Sequence, residues 1–395
     1  MKKIQFTTAG ESHGELLMGI LEGIPSDLEI DEEYIHAHLK RRQMGFGRGK
    51  RMQIETDIPK IYTGVRLGKT LGSPIGIIIE NKDWKNWKNR MSVAQVEKTT
   101  IKKITIPRPG HADLAGIIKY GFDDTRNVIE RSSARETAMR VALGSVCRKL
   151  LESFGIYVGS YVSSIYDVCD GKNYTDLTPS DINDIADKSS VRSLNASLET
   201  QMIKAIEDAK SEGDSVGGSF KVHISGVPYG LGSYVSWDTK LNARLGKAML
   251  SINGIKSFDV GLGSESDKKR GSELHDEILK RDLNPKLKPM LFHQVKRKSN
   301  NCGGIEGGMS NGQDIIISAT MKPIPTLVKP LKSVDIATNE EVLAHKERTD
   351  SCSVPAASII GESMACMVIC DALLEKFGGD SMEQLSKHFH ATAKY

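Results

Sequence analysis

The chain has 395 residues, 39% hydrophobic and 26% charged, ordinary usage for a globular protein built as one large domain or about two or three smaller ones. A net charge of +4 is too mild for a protein that grips a long polyanion, and the apolar stretches read as far too short to cross a bilayer. The expectation is therefore no nucleic acid, no membrane and, with no secretory signal pattern after Met1, a cytoplasmic address. Six cysteines without a C-x-x-C pair read as reduced thiols, and no metal is assigned, since Cys366 and Cys370 one helical turn apart have no further ligands clustered near them. The basic residues instead gather in a few glycine-containing loops, which suits a small, highly anionic ligand.

A strand at residues 4–8 leads into Gly10-Glu11-Ser12-His13-Gly14, where glycines let the backbone approach a ligand beside a histidine, the residue type suited to carrying protons. Taken alone, such a histidine is more often structural. Residues 26–42 read as a helix, with Asp31, Glu32 and Glu33 early and Lys40, Arg41 and Arg42 late, as the helix dipole prefers. The glycine-spaced basic loop 43–51 follows, carrying Arg48 and Arg51, and then a buried strand at 74–80. Trp84 and Trp87 stand among lysines in the next loop and receive no role.

Residues 107–113 form a proline-stiffened turn with a second histidine, His111, beside glycine. Ser133 and Glu136 have capping-box spacing ahead of an apolar-periodic helix from Ala138 to Phe154, and Arg131 and Arg135 flank its start as an anion site would require. The stretch 167–215 is polar, with a helix near 198–211. A second structured half begins at Gly217, with a strand at 220–224 and a helix at 240–253 ending on Asn253-Gly254. The glycines at 261 and 263 lack the third glycine of a dinucleotide fingerprint, and no Walker sequence occurs. The glycine-dense loop 302–308 precedes a strand at 313–321 that stops at Lys322-Pro323-Ile324-Pro325-Thr326. Arg348-Thr349-Asp350 stands ahead of the last core helix, expected to start at 353–357 and run through Met367.

Segments 10–25, 131–146 and 348–364, with the Arg-Pro-Gly-His-Ala-Asp run at 108–113, together resemble the signature regions of the chorismate synthase family, in the same order and over nearly the full chain. Thr349 replaces a histidine more usual in that family, and the tryptophan-containing stretch 83–96 is a divergent loop. The resemblance implies an α+β fold, a β-α-β sandwich with a helical layer between antiparallel sheets, in a single domain spanning 1–395 that assembles as a homotetramer. It implies a carbon–oxygen lyase of the shikimate pathway that makes chorismate by 1,4-anti elimination of phosphate from 5-enolpyruvylshikimate 3-phosphate. The resemblance further implies that reduced FMN is required without net redox change, with NADPH expected, if at all, only as a flavin reductant.

By the same resemblance His13 assists the departing phosphate, His111 supplies a proton to the reduced flavin, and Asp350 acts with flavin N5 to remove the ring proton. Arg131, Ser132, Ser133, Asn253, Gly254, Gly307, Lys322, Pro323, Ile324, Pro325, Thr326 and Arg348 are the implied FMN contacts. Arg42, Arg48, Arg51 and Arg135 are the implied ligands of the substrate's carboxylates and phosphate, or of NADP for the first two. Arginine's planar fork suits such groups. Two other readings stand beside this one: a flavin-dependent oxidoreductase acting on an anionic substrate, and a nucleic-acid binder using the 43–51 and tryptophan loops.

Overall fold

A computed structural model describes residues 3–48, 55–96, 101–280, 295–344 and 350–392, so Arg51, Arg348 and Thr349 lie outside the described residues. The fold is α+β. One antiparallel sheet runs in the order Gln5–Ala9, Leu16–Glu22, Ile75–Glu80, Pro59–Thr63, and a second in the order Ile255–Val260, Ile315–Met321, Gly218–Ser225, Tyr157–Ile165, Val168–Cys169. Period-two alternation decides which face of the first sheet is covered: Leu17 and Leu21, Ile75, Ile77 and Ile79 are buried, while Met18 and Ile20 point outward.

Helices Glu32–Gln43, Thr137–Glu152 and Val354–Phe377 fill the space between the sheets. Three glycines mark where the layers approach most closely. A Cβ at Gly19 would come within 2.6 Å of Met139, one at Gly144 within 2.6 Å of Ser363, and one at Gly361 within 2.6 Å of Phe220. The first contact joins the first sheet to Thr137–Glu152, the second joins that helix to Val354–Phe377, and the third joins the long helix to the second sheet. The layers are thus sheet, helices, sheet, and the main hydrophobic core runs through all of them from Ile4 to Leu385.

The helical layer also holds a buried charge centre. Glu362, in the middle of the long helix, accepts hydrogen bonds from Arg41 (2.8 and 3.0 Å), Arg148, Arg192 (3.4 Å) and the Ser160 hydroxyl (2.6 Å). These partners come from helix Glu32–Gln43, helix Thr137–Glu152, the loop before helix Ala196–Ser211, and the second sheet. Burial alone would raise the Glu362 carboxyl, but the three guanidinium groups outweigh it and hold it down at about 2.

Four sequence expectations change. The long helix continues past Met367 to Phe377, and a further helix, Met382–Thr392, follows it. Val354–Phe377 has the length and composition to cross a membrane, contrary to the expectation for the apolar stretches, but its apolar window is wholly buried between the sheets. The first helix starts at Glu32 rather than near 26, because Asp31 caps it by accepting from the Tyr34 amide (2.7 Å) while Ser26 bridges to Ser381. Ser133 caps only a short 3-10 turn, Ala134–Glu136, and Glu136 pairs with Arg140 (2.7 Å) instead of closing a capping box.

Removing the central carboxylate would leave three arginines facing each other in the core. Glu362→Ala is expected to cost about 3–5 kcal/mol in denaturant unfolding. The carboxyl titrates lower in the folded chain than its ordinary 4.5, so its stabilisation is complete above that pH and lost as pH falls toward 2. Glu362→Gln should flatten the acid limb of stability in that window, and an unchanged limb would contradict this origin.

Candidate active site

The loops at one end of the helical layer bring together most of the residues singled out from sequence. The turn carrying His13 is tight because Gly10 takes φ +105°, where a Cβ would lie 2.5 Å from the Leu16 carbonyl. Asn81 secures it by donating to the carbonyls of Glu11 (3.2 Å) and Gly14 (2.8 Å). Glu130 accepts from both the His13 amide (2.9 Å) and ring Nδ1 (2.9 and 3.0 Å), and Arg126 pairs with the same carboxylate (2.8 Å). Burial works against the Glu130 charge, yet the His13 bonds and the nearby cations hold the carboxyl below its usual range. With Nδ1 committed to Glu130, Nε2 is the ring nitrogen left to face a ligand.

The segment after Glu130 packs on this turn. Arg131 donates to the carbonyls of Thr8 (2.7 Å) and Gly10 (3.1 Å), and the Ser133 hydroxyl donates to that of Ser12 (3.1 Å). Ser132 turns its hydroxyl back to the Val128 carbonyl (2.8 Å) and offers its own carbonyl to Asn253 (2.9 Å). Asn253 and Gly254 line a groove of about 380 Å³ with Arg131, Glu136 and Arg140, and the buried Oδ1 of Asn253 has no hydrogen-bond partner among the described residues. The Gly254 carbonyl accepts from the Lys322 amide (2.9 Å), which brings the segment from Lys322 to Thr326 alongside.

That segment meets the second histidine turn. Arg108 donates to the Thr326 hydroxyl (2.9 Å), and Lys322 reaches the Gly110 carbonyl. Asp113, fully buried, accepts from the Arg108 side chain (2.9 and 3.2 Å) and from His111 Nδ1 (2.5 Å). Burial opposes its charge, but these bonds hold the carboxyl well below the usual range. The Ile324 carbonyl accepts from Ser215 (2.7 Å), and the amide of neighbouring Val216 donates to the Ser351 carbonyl (2.9 Å), so the strand-end segment also adjoins Asp350.

Asp350 pairs with Arg48 (2.9 Å) and accepts from the Ser353 hydroxyl (3.2 Å). Arg42 and Arg135 are buried and converge on Asp57, Arg42 at 3.5 Å and Arg135 in closer contact. Arg42 also donates to the Ala134 carbonyl (2.9 Å) and Arg135 to Asn81 (3.0 Å). Burial lowers the Arg42 guanidinium to about 10 despite Asp57, and neighbouring Arg48 and Arg135 push the same way. Among the described residues the buried Arg48 Nε has no hydrogen-bond partner, and Arg135 Nη2 has only the Glu55 carboxylate at 3.7 Å, beyond hydrogen-bond reach.

Gly307 is placed apart. Its hairpin meets the start of helix Leu241–Leu250, where the Leu241 amide donates to the Gly308 carbonyl (2.8 Å), whereas Asn253 follows the other end of that helix, about 15 Å along. Sequence reasoning gave no role to Glu130, Asp113, Arg108, Asp57 and Asn81. Asp113 stood inside the turn already singled out, and Arg126/Glu130 has the i,i+4 spacing of a helical pair. Asp57 and Asn81 gave no such signal.

Comparison with known proteins fits this geometry. A family model described as chorismate synthase matches residues 4–374. The chain belongs to the chorismate synthase family. It is 52% identical over 383 residues to the chorismate synthase of Alkaliphilus metalliredigens, covering 96% of this chain and 97% of that one. It is 47% identical over 399 residues to the chorismate synthase of Aquifex aeolicus, covering 98% and 97%. A crystal structure of a chorismate synthase superposes with a TM-score of 0.79 at 38% identity, covering 100% of this chain and 98% of the other. The chain is thus a lyase of aromatic biosynthesis in the shikimate pathway.

Asp113→Asn removes the charge that Arg108 and His111 share in a buried setting. It is expected to lower stability by about 3 kcal/mol in denaturant unfolding. A loss near zero would mean that the turn is held by its prolines alone.

Proposed function

We propose that this lyase converts 5-enolpyruvylshikimate 3-phosphate to chorismate and phosphate with reduced FMN as cofactor. The observation that supports the reading is that His13, His111 and Asp350, each held by a charged partner, stand on loops that also carry Arg42, Arg48 and Arg135, and that the buried Arg48 Nε has no hydrogen-bond partner among the described residues. The substrate brings two carboxylates and a phosphate, which such donors bind strongly.

The groove beside Asn253 suits the cofactor. Its polar wall, its arginines and the orphaned Asn253 Oδ1 fit a flat, hydrogen-bonding ring with an anionic tail. Arg131, Ser132, Ser133, Asn253, Gly254 and the segment from Lys322 to Thr326 would hold it, with Arg348. When bound, reduced FMN supplies electron density to the carbon that loses phosphate, which no side chain can do.

The rest is the work of the chain's own groups. Arg42, Arg48, Arg51 and Arg135 bind and orient the substrate, and His13 donates from Nε2 to the departing phosphate. Asp350, oriented by Arg48 and Ser353, accepts the ring proton. His111, oriented by Asp113, supplies a proton on the cofactor side. The common core supports reading residues 1–395 as one domain, and the outward-facing Met18 and Ile20 support assembly of copies, as in a homotetramer. Cytoplasmic placement, action without nucleic acid or membrane, and reduction of the flavin from outside, with NADPH only as a source of reductant, belong to the same reading.

Anaerobic turnover with catalytic dithionite-reduced FMN tests it. Phosphate and chorismate should appear in equal amounts over many turnovers, not at all with oxidised FMN. His13→Ala, His111→Ala and Asp350→Ala should each slow turnover by about 100-fold or more. Reductant consumed in proportion to product would instead mark a flavin-dependent oxidoreductase.

A further inference from the structure

The tryptophan-containing loop, unassigned from sequence, closes over the His13 ring. Trp87 stacks on it with centroids 3.8 Å apart and planes 23° from parallel. The indole is itself pinned, since its Nε1 donates to Asp83 (2.9 Å) and the Arg126 guanidinium lies 4.9 Å over its ring. Arg126 in turn pairs with Glu130, and Glu130 holds His13 Nδ1. Four side chains therefore make a closed circuit: carboxylate to imidazole, imidazole to indole, indole to guanidinium, guanidinium to carboxylate.

An imidazole free to rotate presents either nitrogen, in any plane. Here Glu130 takes the Nδ1–H in both protonation states, so the proton that comes and goes is the one on Nε2. The indole face removes the remaining freedom of the ring about its own axis. We propose that Trp87 and Glu130 are positioning residues for His13, a clamp that fixes its plane and tautomer so that Nε2 is the end offered to the leaving anion. The proposal rests on the reading of His13 as proton donor to the phosphate. Errors of about 1 Å in such a donor cost on the order of 100-fold in rate.

The test combines ring spectroscopy with turnover. Long-range ¹H–¹⁵N spectra of the full chain, recorded without FMN or substrate above the ring's titration, should show His13 as the Nδ1–H tautomer. Glu130→Ala should convert it largely to the Nε2–H form. Trp87→Leu should lower kcat by about 10- to 100-fold with KM changed less than about threefold, and Trp87→Phe should restore most of the rate. In a His13→Ala background Trp87→Leu should cause no further loss, because its effect passes through that ring.

An additive loss in that background, or a His13 tautomer indifferent to Glu130→Ala, overturns the clamp. Unfolding midpoints accompany each variant, and Glu130→Ala tests the clamp from the opposite side should Trp87→Leu fail to fold. The spectra need no catalysis. A chain that shows the clamped tautomer yet never releases phosphate refutes the proposed reaction and leaves the clamp intact.

Discussion

The buried carboxylate of Glu362 fixes the geometry on which the rest of the molecule depends. An isolated charge in that position would be strongly unfavourable, and only the convergence of Arg41, Arg148 and Arg192 offsets the loss of water. Satisfying it sets the rotation of two helices about the long one. Arg41 turns inward to Glu362, so its neighbour Arg42, about 100° further round the helix, reaches Asp57 and the Ala134 carbonyl at the site. Arg148 anchors the helix whose leading segment carries Arg131, Ser133 and Arg135, and Glu362 itself belongs to the helix that begins just after Asp350. One ion cluster thus sets the relative placement of three site segments.

At the site the pattern repeats on a smaller scale. Each of these candidate groups is oriented by a charged partner: His13 by Glu130, His111 by Asp113, Asp350 by Arg48, and Arg42 and Arg135 by Asp57. The acids keep a dense set of cations compatible with a folded core before any anion arrives. The cost is borne by the Arg48 Nε and the Asn253 Oδ1, buried atoms without a hydrogen-bond partner among the described residues.

How much of this was legible depended on range. The apolar run at Ile75–Glu80, the alternation in Gly218–Ser225 and the periodicity of Thr137–Glu152 are local signals, and those elements lie where sequence places them within a few residues. Glu362 stands in an apolar stretch of its helix, but its arginines are 321, 214 and 170 positions away, and nothing local pairs them. The start of the first helix was misplaced because a long-range bridge from Ser26 to Ser381 overrode a run of acceptable helix formers. His13 and His111 were found through glycine and proline neighbours, whereas Glu130 and Trp87 reach His13 from 117 and 74 residues away and became apparent only in three dimensions.

In the proposed reaction His13 at the departing phosphate and His111 on the cofactor side, 98 positions apart in the chain, belong to one site. Ring resonances of both histidines, followed during titration with 5-enolpyruvylshikimate 3-phosphate in the presence of oxidised FMN, test it directly. Both should move along one saturation curve with a single Kd. Movement of only one ring, or two curves with different midpoints, would contradict it.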